Sequence, residues 1–211
     1  MSTAVAHPHR AVLTSFPAVV GIAYSASWIA GLTIGAPAPT FADSGSEIIR
    51  ELSGHTGAFD TQFLLTEGLP AIGLAVVSLA LARAARTPLV TRLAAVTGVA
   101  AALISFTQFV LGLTLARSGS PDSVHLLFAL TNRFDGVKMF LLAGLSVAAV
   151  QSRLLPRWLN YTAIAMAVAI VGSGIAYLFL IQGLAILAFV SGPLLLIVIT
   201  ATGIVLGREG R

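Results

Sequence analysis

The chain has 211 residues, of which 57% are hydrophobic and 9% charged. A soluble domain carries about 25% charged residues, so this composition excludes a water-covered globule and points to an all-α membrane protein with the bilayer as its solvent. The absence of cysteine excludes disulfides, thiolate metal sites and cysteine nucleophiles. The net charge of +4 is spread thinly at helix ends, which speaks against a nucleic-acid-binding face.

Taken in chain order, MSTAVAHPHR has a weak basic region, and the apolar run after it is too long for a cleavable leader. Spanning the hydrocarbon takes roughly 20 apolar residues as helix. Six segments qualify: 14–36, 61–82, 93–116, one within 124–150, 158–179 and 183–206. The expected fold is a polytopic membrane helix bundle, a single transmembrane unit over 1–211 with six transmembrane helices. Arg10, Arg83, Arg86, Arg92, Arg153, Arg157, Arg208 and Arg211 fall on one side of such a bundle, with Glu209 as the only acid. The other side holds Arg50 and Arg117 as loop bases beside Asp43, Glu47, Glu51, Asp60 and Asp122. Lys and Arg mark the inner face, so both termini are expected to be cytoplasmic in a multi-pass protein of the cell membrane.

The loop 37–60 opens with prolines that deny helix. Ser44-Gly-Ser-Glu47 then resembles a capping box ahead of Ile48, Ile49 and Leu52, which predicts one short amphipathic helix ended by Gly54 and lying on the outer surface.

Polar groups inside the spans are the candidates for function, because an ionisable group at bilayer depth costs about 2.5–3.5 kcal/mol and normally faces a partner or a wet cavity. Glu67 lies in LLTEGLPAIG, where Pro70 cannot donate to the carbonyl of Thr66, so a kink is expected beside it. In the fourth span Asn132, Asp135 and Lys138 recur at three-residue spacing and share a face, while Arg133 points away from Asp135. Glu67 is expected to meet Lys138 or Arg133 across a helix pair, giving a neutral set of Glu67 and Asp135 against Arg133 and Lys138. Such a set is either a buried structural ion-pair cluster or the lining of a polar pocket open to the outer face. Glu67 and Asp135 are then the candidate acids. Asn132, Arg133 and Lys138 are the candidate ligand-binding groups, with Gln108, Trp28, Phe63 and Phe134 as further lining residues. His7, His9, His55 and His125 lie outside the middle of the spans and show no HxxxH-type spacing, so neither a metal nor another cofactor is expected.

The stretches 43-DSGSEIIRELSGHTGAFDTQFLLTEGL-69, 79-LALARAARTP-88 and 135-DGVKMFLLAGLSVAAVQSRLLPRWLNYTAIAMAVAIVGSGIAYL-178 resemble a group of small bacterial six-helix membrane proteins described only as a domain of unknown function. That resemblance implies fold and topology without an activity. In one feature the chain is also similar to small integral-membrane terpene cyclases, which use intramembrane carboxylates as acids. Glu67 matches that arrangement, but a second acid in the last span is missing.

Three functions fit these residues. The first is a polar, outward-facing intramembrane pocket binding a small amphiphile, a lipid or a partner helix, with Lys138 and Arg133 meeting an anionic group. In the second, the chain is an enzyme on a lipid or isoprenoid substrate, with Glu67 or Asp135 as general acid and Phe63, Phe106, Phe109, Phe128 and Phe134 as aromatic walls. The third is a structural subunit of a membrane complex. Membrane lipids are partners in all three.

Overall fold

A computed structural model describes residues 15–209. His7, His9, Arg10 and Arg211, and the start of the chain that bears on a leader, lie outside the described residues. The helices are α1 (Phe16–Leu32), α2 (Gly45–Leu52), α3 (Thr56–Phe63), a π-helical turn (Leu64–Gly68), α4 (Leu69–Ala84), α5 (Pro88–Leu115), α6 (Pro121–Gln151), α7 (Arg157–Phe179), α8 (Gln182–Ala185) and α9 (Ala188–Glu209). Among the described residues there is no strand.

Proline sets several of the helix starts. It occupies the first turn of α1, α5 and α6, where its missing N–H would have no partner anyway and its fixed φ suits a helix. Arg153 and Leu180, both at left-handed φ (58° and 56°), turn the chain after α6 and α7. Short connections then make sequence neighbours antiparallel. The packing runs α1–α4–α5–α6–α7–α9 and closes from α9 back to α1. Leu74, Val77, Leu81, Leu142, Leu145, Met166, Ile170, Val198 and Ile199 fill the interior of this ring.

Five helical stretches are long and apolar enough to cross a membrane: Thr56–Ala84, Pro88–Leu115, Pro121–Gln151, Arg157–Phe179 and Gln182–Arg208. The first apolar helix, α1, has 17 residues, fewer than its sequence pattern over 14–36 predicts. The fourth begins at Pro121, three residues earlier than expected, and the last is interrupted between α8 and α9. Large apolar side chains remain exposed around the bundle, among them Ile72, Val96, Leu103, Val168 and Phe189. In water such a belt is a liability; lipid is the solvent that suits it.

The two ends of the bundle differ. Arg83, Arg86, Arg92, Arg153, Arg157 and Arg208 gather where α4, α6 and α9 end and α5 and α7 begin. At the opposite end α2 and α3 build a cap over the α5–α6 hairpin with its own small core of Ile48, Leu52, Phe59, Leu115 and Val124. Helix α2 starts on the capping box. The Ser44 N–H donates to Glu47 Oε2 at 2.7 Å and the Glu47 N–H to Ser44 Oγ at 3.4 Å. Its apolar face packs on α6 rather than on a membrane surface, and Gly45 permits this, because a Cβ there would overlap the carbonyl of Pro121. Asp60 of α3 holds Arg117, beyond α5, through two bonds of 3.1 and 2.6 Å.

Candidate functional site

Pro70 shapes the chain beside Glu67. The Leu69 N–H reaches back five residues to Leu64 O instead of four, which widens the helix into a π turn. In that ladder Leu65 O would next pair with residue 70, and proline has no hydrogen to give. A buried carbonyl left so would cost about 1–3 kcal/mol. Ser27 of α1 supplies the donor, its hydroxyl lying 2.7 Å from Leu65 O. Ser105 of α5 donates to Glu67 O at 3.3 Å. Two neighbouring helices thus hold the turn open by side-chain hydroxyls, and the kink expected at Pro70 takes this wide form.

The turn carries the Glu67 carboxylate toward α6. Lys138 Nζ donates to both of its oxygens, at 2.9 and 2.7 Å, and pairs with Asp135 Oδ1 at 2.7 Å. Ser105 Oγ adds a short bond to Glu67 Oε2. One ammonium therefore serves three carboxylate oxygens, while no donor among the described residues reaches the second oxygen of Asp135. The three charged side chains are only 13% (Glu67), 11% (Lys138) and 19% (Asp135) exposed. At 1.5 Å per residue the cluster lies roughly 20–25 Å along the helices from the arginine-rich end. That places it nearer the capped end of the bundle than the arginine-rich end.

Arg133 does not join the cluster. It is exposed on α6 and has no ion-pair or hydrogen-bond partner among the described residues. The three-residue spacing already turns it away from Asp135 and Lys138. The neutral set of four expected from the sequence is accordingly a set of three, two carboxylates against one ammonium, with a net charge of one negative.

Other sequence candidates fall around this centre or away from it. Gln108 is 2% exposed, and its Nε2 donates to Thr131 O at 3.1 Å across the α5–α6 seam, one turn toward the cap. Its Oε1 is buried with no partner. Asn132 Nδ2 bonds back to Phe128 O on its own helix at 2.8 Å. Trp28 rests near Gly192 of α9. Phe63 stacks on Phe59 with ring centroids 4.7 Å apart, within the cap packing. Phe134 is half-buried on α6, and Phe106, 54% exposed, pairs with Phe109 at a ring-centroid distance of 6.1 Å.

Sequence reasoning missed Ser105 and Tyr177 and assigned Tyr24 to packing. Tyr24 of α1, buried, is close enough to feel the charges of Lys138, Glu67 and Asp135, and Tyr177 of α7 feels those of Asp135 and Lys138. Phe41, from the loop before α2, meets Tyr177 edge-on at 5.3 Å, and its N–H donates to Gln182 Oε1 at 3.1 Å. The one sequence signal for Ser105 is its position three residues before Gln108, on the same face of α5.

Two cavities lie away from the cluster. A crevice of about 140 Å³ runs through the cap between Ile49, Thr56, Leu115 and Val124. A void of about 10 Å³ lies deeper, among Ser78, Ser146, Met166 and Thr202. Neither is lined by Glu67, Asp135 or Lys138. Among the described residues no three His, Asp or Glu side chains are grouped to hold a metal ion. Lys138 reaches both oxygens of Glu67, and Ser105 reaches one of them. Compared with known proteins, the chain matches no family model, no curated protein and no solved structure.

Proposed function

We propose that the chain is a six-span protein of the cell membrane, both termini cytoplasmic, whose Glu67–Lys138–Asp135 cluster forms an outward-facing intramembrane site for a small amphiphile or lipid head group. Arginine at one end and mixed charge at the capped end support this orientation under the positive-inside rule. With 17 residues, α1 is at the short limit for a sixth span. The observation that carries the site is a lysine shared by carboxylates from two helices at a depth where the bundle is otherwise ringed by lipid-facing residues. Membrane lipids are its environment and its first candidate ligands; an isoprenoid amphiphile is a further one.

A chain without cysteine makes orientation direct to test. Cysteine placed at Ser120 should react with an impermeant maleimide on intact cells, and cysteine placed at Thr87 only after lysis; the reverse labelling would overturn the topology. For the site, native mass spectrometry of wild-type protein released from nanodiscs should show an amphiphile retained on the chain. The Glu67→Gln/Asp135→Asn double variant should lose it. Equal retention by both would remove the site.

One observation favours a second reading, a structural cluster that pins the wide turn. The crevice and the void are lined by other residues, and Glu67 is fully bonded. In that case the double variant changes stability alone.

A further inference from the structure

We infer that the head group taken by this site is a cation of the ammonium class. The inference rests on the reading of the cluster as a ligand site and names what that site would select.

Charge decides the sign. Lys138 is the one cation of the cluster, and it is already shared by Glu67 and Asp135. Arg133, the second base that an anionic ligand would need, is exposed on another face of α6. An anion entering here would raise the net charge from one negative to two, in surroundings that solvate neither. A monocation brings the sum to zero.

Hydrogen-bond bookkeeping agrees independently. The seam is short of donors and not of acceptors. Of the Asp135 oxygens, Oδ1 is paired with Lys138 and the other, on a side chain 19% exposed, receives no hydrogen bond among the described residues; one turn toward the cap Gln108 Oε1 is a buried acceptor without a donor. An ammonium group carries donors and no acceptor. Tyr24 of α1 and Tyr177 of α7 lie within electrostatic reach of the cluster. The charged and titratable groups around Asp135 are then Glu67 on the wide turn, Lys138 on its own helix, Tyr24 on α1 and Tyr177 on α7; α5 contributes the uncharged Ser105 and Gln108.

The test is a set of probes with one tail and three heads: decyltrimethylammonium, decyl sulfate and decyl glucoside, each titrated calorimetrically into the wild-type protein in zwitterionic nanodiscs and into empty discs. The expected result is saturable binding of the ammonium alone, one per chain. Asp135→Asn should weaken it about ten- to a hundredfold, the loss of one charge-assisted contact, and Arg133→Gln should leave it unchanged. Binding of the sulfate in preference, or binding weakened by Arg133→Gln, overturns the cationic assignment and leaves a ligand site standing. Equal binding of all three heads says that the tail alone is recognised, and again the cationic assignment falls. If no probe binds beyond the empty discs, the ligand site itself is refuted. The wild-type panel decides these outcomes even if a variant fails to fold.

Discussion

Replacing Lys138 with methionine isolates the electrostatics of the bundle. The methionine keeps most of the apolar stem and removes the ammonium. Glu67 and Asp135, 13% and 19% exposed, then face one another with no cation between them. Breaking a buried ion pair by deleting one partner costs about 3–5 kcal/mol, because the charge left behind is desolvated and unpaired. Against a total stability of about 5–15 kcal/mol that is a large fraction. Adding Glu67→Gln to Lys138→Met returns the cluster to one negative charge, so the double variant should recover about 1–3 kcal/mol of the loss. Unfolding in mixed micelles of increasing dodecyl sulfate content, followed by far-ultraviolet circular dichroism, measures each variant against wild type. Arg133→Gln serves as the exposed control and should change nothing. A cost below about 1 kcal/mol for Lys138→Met, the range of surface pairs, would mean that water solvates both carboxylates, and the argument from scarce water would fail.

Three further outcomes follow from the same contacts. Ser27→Ala should destabilise by about 1–3 kcal/mol through the unmet carbonyl of Leu65. Pro70→Ala in that background should restore part of it by returning an N–H, and no rescue in the double-mutant cycle would refute the account of the wide turn. At Gly136→Ala the methyl would sit 2.5 Å from Leu178 N and 2.8 Å from Gly174 O, both backbone atoms of α7. The two helices must part, at about 1–3 kcal/mol, and unchanged micelle unfolding would contradict the close crossing. In the cap, the Ser44 N–H and hydroxyl hold the Glu47 carboxyl below the usual carboxylate range. A depressed folded value means that the capping box contributes at neutral pH and is lost as pH falls through it. The Ser44 amide resonance should therefore shift on acidification in wild type and not in Glu47→Gln.

Much of the architecture is written in hydropathy, because a bilayer demands long apolar runs and tolerates little else. The capping box could be read from Ser44 and Glu47, and the distortion from Pro70, since both depend on residues a turn apart. The partner of Glu67 could be narrowed to Lys138 or Arg133, and the structure selects Lys138. The spacing put Asn132, Asp135 and Lys138 on one face of α6, but which member meets Glu67 depends on the ring order of helices and on how far the wide turn rotates it. Ser27 stands out only as part of a polar stripe with Tyr24, Ser25 and Trp28, and the acceptors of Ser27 and Ser105 were hidden. Hydroxyls in apolar helices commonly bond back to their own chain, as Ser78 and Ser146 do here, and only the three-dimensional structure separates those from the two that reach across. Helix ends were the least legible. The extension of α6 to Pro121 and the arrest of α1 at Leu32 depend on the cap and its loop, whose packing lies far apart in sequence.

The π turn at Leu64–Gly68 has a consequence for length variation in this chain. It is, in effect, one surplus residue stored in an otherwise regular rod. Closing it to ordinary helix with every residue kept would rotate Thr56–Phe63 about 100° against Leu69–Ala84. Phe59 would swing out of its small core and Asp60 away from Arg117. The cap and the rod thus share one phase, and viable homologues that lack the wide turn should be one residue shorter in this segment.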